Sequence, residues 1–229
     1  MIPLEIIPAV LPDSFEELED RLGLVSRLAR IVHLDADDGV FVPHISWPYR
    51  SEDVQKFSAI VREEEGMPYW DKLDYEVHLM VANPESKALD WVRAGAMRII
   101  AHVEAVKDLD VLRDTIGSMT ELVLALKLET PLDTVEPFRD RIDGVHLMTI
   151  PRIGFQAIEF DASGIAKLKE ARKKFPHLPI SVDGGIDSEN AKALVDAGAN
   201  RLIVGSAIFD SEDPIKKYKE LKETVGGVQ

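Results

Sequence analysis

The sequence predicts an α/β protein built as a single (β/α)8 barrel over residues 1–229. Short apolar, β-rich runs alternate with longer helical patterns eight times along the 229 residues. No Pro/Ser-rich linker or block of like charge divides them. The runs themselves are nearly all apolar, as strands buried on both faces of a parallel sheet must be. Continuous β-then-α alternation demands a parallel sheet with right-handed crossovers. Eight such units are the number that closes a barrel. An open doubly wound sheet, which more often has about five to seven strands, is the competing architecture.

The elements follow in order. The first strand is Glu5–Val10. Its helix is capped by Asp13 or Ser14 and carries Phe15, Leu18, Leu22 and Val25 on one stripe. The second strand is Ile31–Asp35, followed after a Pro-rich loop by a helix over Ser51–Glu64. The third is Leu73–Met80; Pro84 opens the next helix at its first position and Gly95 closes it. The fourth, Met97–His102, precedes a helix over Asp108–Ile116. The fifth, Glu121–Leu126, precedes a short helix opened by Thr130-Pro131. The sixth, Gly144–Met148, leads through a long loop to a helix over Asp161–Lys174. The seventh, Ile180–Asp183, passes Gly184-Gly185 to a helix capped by Ser188 and ended by Gly198. The eighth, Arg201–Val204, passes Gly205-Ser206 to a last helix over Pro214–Thr224.

Composition narrows the function classes. There are 27 basic against 41 acidic side chains, a formal charge of −14. Such a surface repels nucleic-acid backbones and anionic membranes, so neither is an expected partner. A phosphorylated substrate would need local positive potential, which backbone N–H groups at helix N-termini can supply. The chain has no cysteine, so disulfides, thiolate nucleophiles and iron–sulfur clusters are excluded. There is no basic leader with a long apolar run behind it and no stretch of 18 apolar residues. The expectation is a soluble cytoplasmic protein.

Polar side chains collect where the predicted strands end. The second ends His33-Leu34-Asp35, the third His78-Leu79-Met80, the fourth His102-Val103-Glu104 and the seventh Asp183-Gly184-Gly185. Period-two alternation puts His33 and Asp35 on one side of their strand. If the strands close a barrel, these tips converge on its active face. His33, Asp35, His78 and Asp183 then offer the ligand mix of a divalent transition metal, Zn²⁺, Fe²⁺, Mn²⁺ or Co²⁺. The plain alternative is four unconnected polar groups satisfied by backbone, which is the usual state of a lone buried histidine. Gly184 and Gly185, and Gly205 and Ser206, stand between strand and helix after the seventh and eighth strands. Those loops are the customary phosphate seat of such barrels, although isolated glycine pairs are mostly ordinary turns.

These residues resemble a known family. Ile7–Leu11, His33–Pro43, Val77–Met80, Ser181–Ile186 and Val204–Phe209 look like ribulose-phosphate 3-epimerase, in the right order over nearly the whole chain. Asn83-Pro84, Ala94-Gly95-Ala96 and His102-Val103-Glu104 match as well. The resemblance implies a (β/α)8 TIM barrel of the ribulose-phosphate-binding type. It implies a metal-dependent epimerase that inverts C3 between D-ribulose 5-phosphate and D-xylulose 5-phosphate, commonly as a homo-oligomer. The family's ligands fall on His33, Asp35, His78 and Asp183, and its two aspartates double as acid and base. Independently of the family, inverting a carbon beside a carbonyl means taking a proton from one face and returning one to the other. Two carboxylates on separate strands can do this, with a metal as Lewis acid for the enediolate oxygens.

The chain also departs from the family pattern. Ala9 stands where the family usually has Ser, and Asp37 where it usually has a Met that caps the metal; Met80 and Met148 keep the other cap positions. The glycine-rich loop after the sixth strand, a phosphate-binding flap in the family, here reads Ile150–Gln156. Gly154 and Gln156 keep its contact positions, and Arg152 offers a guanidinium that could bind phosphate in place of backbone donors. The alternatives are a 3-epimerase of another ketose phosphate, such as allulose 6-phosphate, and a non-catalytic barrel that binds phosphate or metal. A related lyase or decarboxylase usually needs a Lys beside the aspartate of the second strand, where this chain has Ala36 and Asp37. The other features read as structural. Trp47 and Tyr49 are a lid or dimer contact; Trp70 and Trp91 are core or interface. His44, His146 and His177 have no convergent partners. Lys216, Lys217, Lys219 and Lys222 form a solvated helix face.

Overall fold

The computed structural model describes residues 2–155 and 158–226. Its strands are β1 (Glu5–Val10), β2 (Ile31–Asp37), β3 (Asp74–Met80), β4 (Ala96–His102), β5 (Glu121–Leu126), β6 (Gly144–Met148), β7 (Ile180–Asp183) and β8 (Arg201–Val204). They follow one another in sequence order and β8 pairs with β1, so the sheet is a closed parallel barrel. The eight-unit reading of the sequence therefore holds, and the open-sheet alternative does not. Among the described residues no helix is long and apolar enough to cross a membrane.

The chain divides into two compact units, residues 9–123 and residues 1–8 with 124–229. In the first, helices α1 (Phe15–Val25), α2 (Val54–Val61), α3 (Pro84–Arg93) and α4 (Leu109–Ile116) alternate with the strands. The Ser14 hydroxyl caps α1 by accepting from the Glu17 N–H at 3.2 Å, and Asp108 caps α4 through the N–H groups of Asp110 and Val111. Along these strands fully buried Val32, Leu34, Val77, Leu79 and Ile99 alternate with buried polar side chains, His33, Glu76, His78 and Arg98 among them. Trp47 is fully buried, not a lid or dimer contact. Its ring lies 5.4 Å from Phe57 and 5.7 Å from Trp91, and Trp91 donates to the Tyr49 hydroxyl at 3.0 Å. This aromatic cluster pins the long loop after β2 against α2 and α3. Of the core or interface alternatives, Trp91 is core, whereas Trp70 is 71% exposed and lies outside the core.

The second unit carries α5 (Ser163–Lys174), α6 (Ala191–Ala197), the single turn α7 (Ser206–Phe209) and α8 (Pro214–Thr224). The short helix expected after Thr130-Pro131 is two 3-10 turns, Leu132–Thr134 and Glu136–Phe138; Pro137 removes a backbone donor there. The cap expected at Ser188 falls elsewhere: Asp187 accepts from the N–H groups of Glu189 and Asn190, and α6 starts at Ala191. Leu168, Ala171, Phe175, Val182 and Leu202 fill this unit's core. The Tyr218 hydroxyl donates to the Ile6 carbonyl at 3.0 Å and ties α8 to β1.

Candidate active site

In the first unit the site follows from register. Pairing of β2 with β3 sets His33 beside Glu76, Asp35 beside His78 and Asp37 beside Met80. Alternation then turns all six side chains to the same side. Nδ1 of His33 donates to Glu76 Oε1 at 2.8 Å, and its Nε2 lies 3.3 Å from Asp35 Oδ1. The same oxygen lies 3.0 Å from Nδ1 of His78. One carboxylate oxygen is therefore shared by two imidazoles, both fully buried. Burial pushes the Asp35 carboxyl up, but hydrogen bonds from His33 and His78 outweigh it and hold it well below the usual carboxylate range. Burial pushes His33 down, yet its bonds to Asp35 and Glu76 carry it up to about 10.

A further layer lies behind these residues. Arg98, from β4, donates to Glu76 Oε2 at 2.6 Å and to Glu121 at 2.7 Å. Nε2 of His78 lies 3.0 Å from Nε2 of His102, whose Nδ1 lies 3.1 Å from Glu104 Oε2. Sequence reasoning passes over Glu76 and Arg98. A signal for Glu76 is available, since it stands two residues before His78 and alternation puts both on one side.

Asp37 is fully buried. Burial, with the charges of Asp35 and Asp38, pushes its carboxyl up to about 9, so at neutral pH it is a neutral acid able to donate. His44 lies 3.1 Å from its Oδ2 and 2.9 Å from Asp13. The reading of His44 as partnerless is thus corrected: it bridges two carboxyl groups that lie far apart along the chain or carry no local sign of contact. Met80 is buried at the end of β3, and Ala9 lines β1.

In the second unit, Asp183 ends β7 beside Met148, which is buried at the end of β6. His146, also fully buried, lies 3.2 Å from Asp183 Oδ2 through Nε2. This too corrects the expectation that His146 has no convergent partner; pairing of β6 with β7 creates one. His177 is exposed as expected. The Thr149 hydroxyl donates to the Asp183 and Gly184 carbonyls and braces the turn after β7.

Gly185 and Ser206 line one cavity of about 750 Å³, with Ala207, Asn190 and Lys217. Gly185 has φ +66°, and a Cβ there would come 2.4 Å from the Phe160 nitrogen, so only glycine fits. Gly184, with φ +112°, packs against Ile150, and Gly205 precedes α7. Lys217, read from sequence as part of a solvated face, is half-buried at this cavity. Gly154 is buried with φ +80°, whereas Arg152 is exposed and lies over the Phe155 ring at 5.9 Å. Gln156 lies outside the described residues.

The model of the ribulose-phosphate 3-epimerase family matches residues 5–209. The chain belongs to that family. Its members are carbohydrate epimerases, a class of isomerase. The ribulose-phosphate 3-epimerase of Bacillus subtilis (strain 168) is 30% identical over 96% of this chain and 98% of its own length. The chloroplastic ribulose-5-phosphate-3-epimerase of Arabidopsis thaliana is 31% identical over 95% of this chain and 75% of its own. Among solved structures, 3-hexulose-6-phosphate synthase from Salmonella typhimurium superposes with a TM-score of 0.70 at 18% identity, covering 97% of this chain and 98% of that one. Orotidine 5'-phosphate decarboxylase from Pyrococcus horikoshii OT3 gives 0.67 at 17%, covering 98% and 100%. At such identities these two structures show the fold alone.

Proposed function

We propose that this single-domain barrel is a metal-dependent epimerase that inverts C3 of a ketose phosphate, D-ribulose 5-phosphate to D-xylulose 5-phosphate. Family membership supports the reaction class. The observation that carries the chemistry is the His33–Asp35–His78 cluster, in which two buried imidazoles turn ring nitrogens to one carboxylate oxygen. Mixed imidazole and carboxylate donors fit a divalent transition ion, Zn²⁺, Fe²⁺, Mn²⁺ or Co²⁺. In this reading His33, Asp35, His78 and Asp183 are its ligands. Buried His33 and His78 in one unit, and His146 with Asp183 in the other, are donors of the kind such an ion takes. The bound ion would supply Lewis-acid stabilisation of the oxygens that gain charge when the C3 proton leaves.

The chain's own residues do the rest. Asp35 is held ionised by its two histidines and can accept a proton. Asp183 serves as its counterpart, and the two exchange acid and base roles with the direction of reaction. His146 orients the Asp183 carboxyl. Met80 and Met148 supply apolar cover, and the half-buried Lys217 adds a cation to the phosphate donors at Gly184, Gly185, Gly205 and Ser206. Solvent-deuterium incorporation at C3 tests the reading. Turnover of ribulose 5-phosphate with label at C3, lost on metal removal and restored by a divalent ion, is expected. Faster turnover of allulose 6-phosphate would change the sugar and keep the chemistry; no exchange with either would leave a non-catalytic barrel.

A further inference from the structure

We propose that Glu76 and the His102–Glu104 pair are positioning residues that select which ring nitrogen each ligand histidine presents to the metal. The inference rests on the metal reading above. His33 and His78 turn opposite nitrogens, Nε2 and Nδ1, towards the same Asp35 oxygen. An imidazole coordinates only through a nitrogen that has given up its proton, so the proton must be kept on the other one.

Two separate relays keep it there. Glu76 accepts from Nδ1–H of His33 and keeps that proton in place, so Nε2 is the nitrogen that would give up its proton to coordinate. Glu76 is itself fixed, because Arg98 can only donate and occupies its second oxygen. On the other side, Glu104 accepts from Nδ1–H of His102, which leaves His102 Nε2 as an acceptor. That nitrogen accepts a hydrogen bond from His78 Nε2–H, 3.0 Å away, so Nδ1 of His78 is the atom that would coordinate. The near-parallel stacking of the two rings, 5.0 Å between centroids, and the Phe41 ring 5.0 Å from His102 hold the second relay in place.

Glu76→Gln distinguishes this role from simple packing. Arg98 requires an acceptor, so it takes the amide oxygen. The amide NH2 group then faces His33 Nδ1 and donates to it, which places the ring proton on Nε2, the coordinating atom. Arg98 keeps its bond to Glu121, so the fold survives. His102→Leu removes the acceptor behind His78, whereas His102→Gln restores one through its amide oxygen.

The experiment titrates Co²⁺ or Mn²⁺ alone into the chelator-stripped full chain by calorimetry, with thermal melting as the fold control. Glu76→Gln and His102→Leu are expected to bind the ion about 10–100-fold more weakly at a nearly native melting temperature. Glu76→Asp and His102→Gln are expected to recover part or most of the affinity. Glu76→Gln and His102→Leu binding within threefold of the native chain would overturn the proposal while leaving the metal reading intact. A native chain that binds no ion at one site would overturn the metal reading and this inference together.

Discussion

Contacts with His33 and with His78, the latter at 3.0 Å, hold the Asp35 carboxylate ionised in spite of burial. Asp35→Asn keeps the volume and loses both charge and basicity. Turnover of ribulose 5-phosphate should fall about 10²–10⁴-fold, with C3 exchange falling in parallel; a variant with native turnover removes Asp35 from the chemistry. Alternation along one strand is enough to place Asp35 on the side of His33, so this much of the site is legible in the sequence. Alternation puts Glu76 on the side of His78, but the partners of Glu76 and His146 are illegible there for a definite reason. Each becomes meaningful only beside a residue on a neighbouring strand, and strand register is not written in local sequence. Gly185 is legible as a loop glycine but not as an obligatory one. Its positive φ and the Phe160 backbone 2.4 Å from any added Cβ make Gly185→Ala strained whatever the side chain does. A loss of about 1–3 kcal/mol in urea unfolding is expected, with a raised KM for the phosphorylated sugar.

At the scale of elements, strands are read more faithfully than helices. β1, β5, β6, β7 and β8 coincide with their apolar runs, because a strand buried on both faces is bounded wherever polarity returns. β2 runs two residues beyond its expected end, through Asp37, because site residues break the apolar pattern while the ladder to β3 continues to Met80. Helix ends depend on caps, and before α6 the Asp187 carboxylate, not the expected Ser188, takes the turn. α5 carries a bond pattern no periodicity predicts. Its Lys167 ammonium donates to the carbonyls of Leu128 at 2.9 Å and Thr130 at 2.7 Å, and to that of Lys127, tying down the turn after β5. Lys167→Met keeps the helix stripe and removes these bonds. Because the carbonyls are half-exposed and can rehydrate, the expected cost is about 1–3 kcal/mol, read from the urea midpoint. Faster amide exchange should be confined to residues 127–130. An unchanged midpoint would show that the turn is held by its own backbone bonds.

For the molecule as a whole, the alternation of eight strands and helices is legible from end to end, since it needs no knowledge of contacts. The consequence of its charge is less obvious. With the proposed activity, a chain at −14 binds a sugar phosphate that is itself an anion. The cavity that offers Gly185, Ser206 and Lys217 is also lined by Glu159, Asp187, Glu189 and Asp210. In the proposed reading, long-range repulsion therefore opposes arrival of the substrate, while short contacts from backbone N–H groups and Lys217 hold it once there. Salt separates the two. The screening length shrinks from about 30 Å at 0.01 M to about 10 Å at 0.1 M, which removes the distant repulsion and leaves contacts at hydrogen-bond range largely intact. KM for ribulose 5-phosphate should thus fall as KCl rises over that range, opposite to the behaviour of a site whose own positive field draws the substrate in. Lys217→Met should raise KM at every salt concentration and steepen its fall, because the variant carries one more net negative charge. A KM that climbs with salt in the native chain would mean that the local donors outweigh the acidic surface at long range, and that Lys217 attracts the phosphate from a distance as well as holding it on contact.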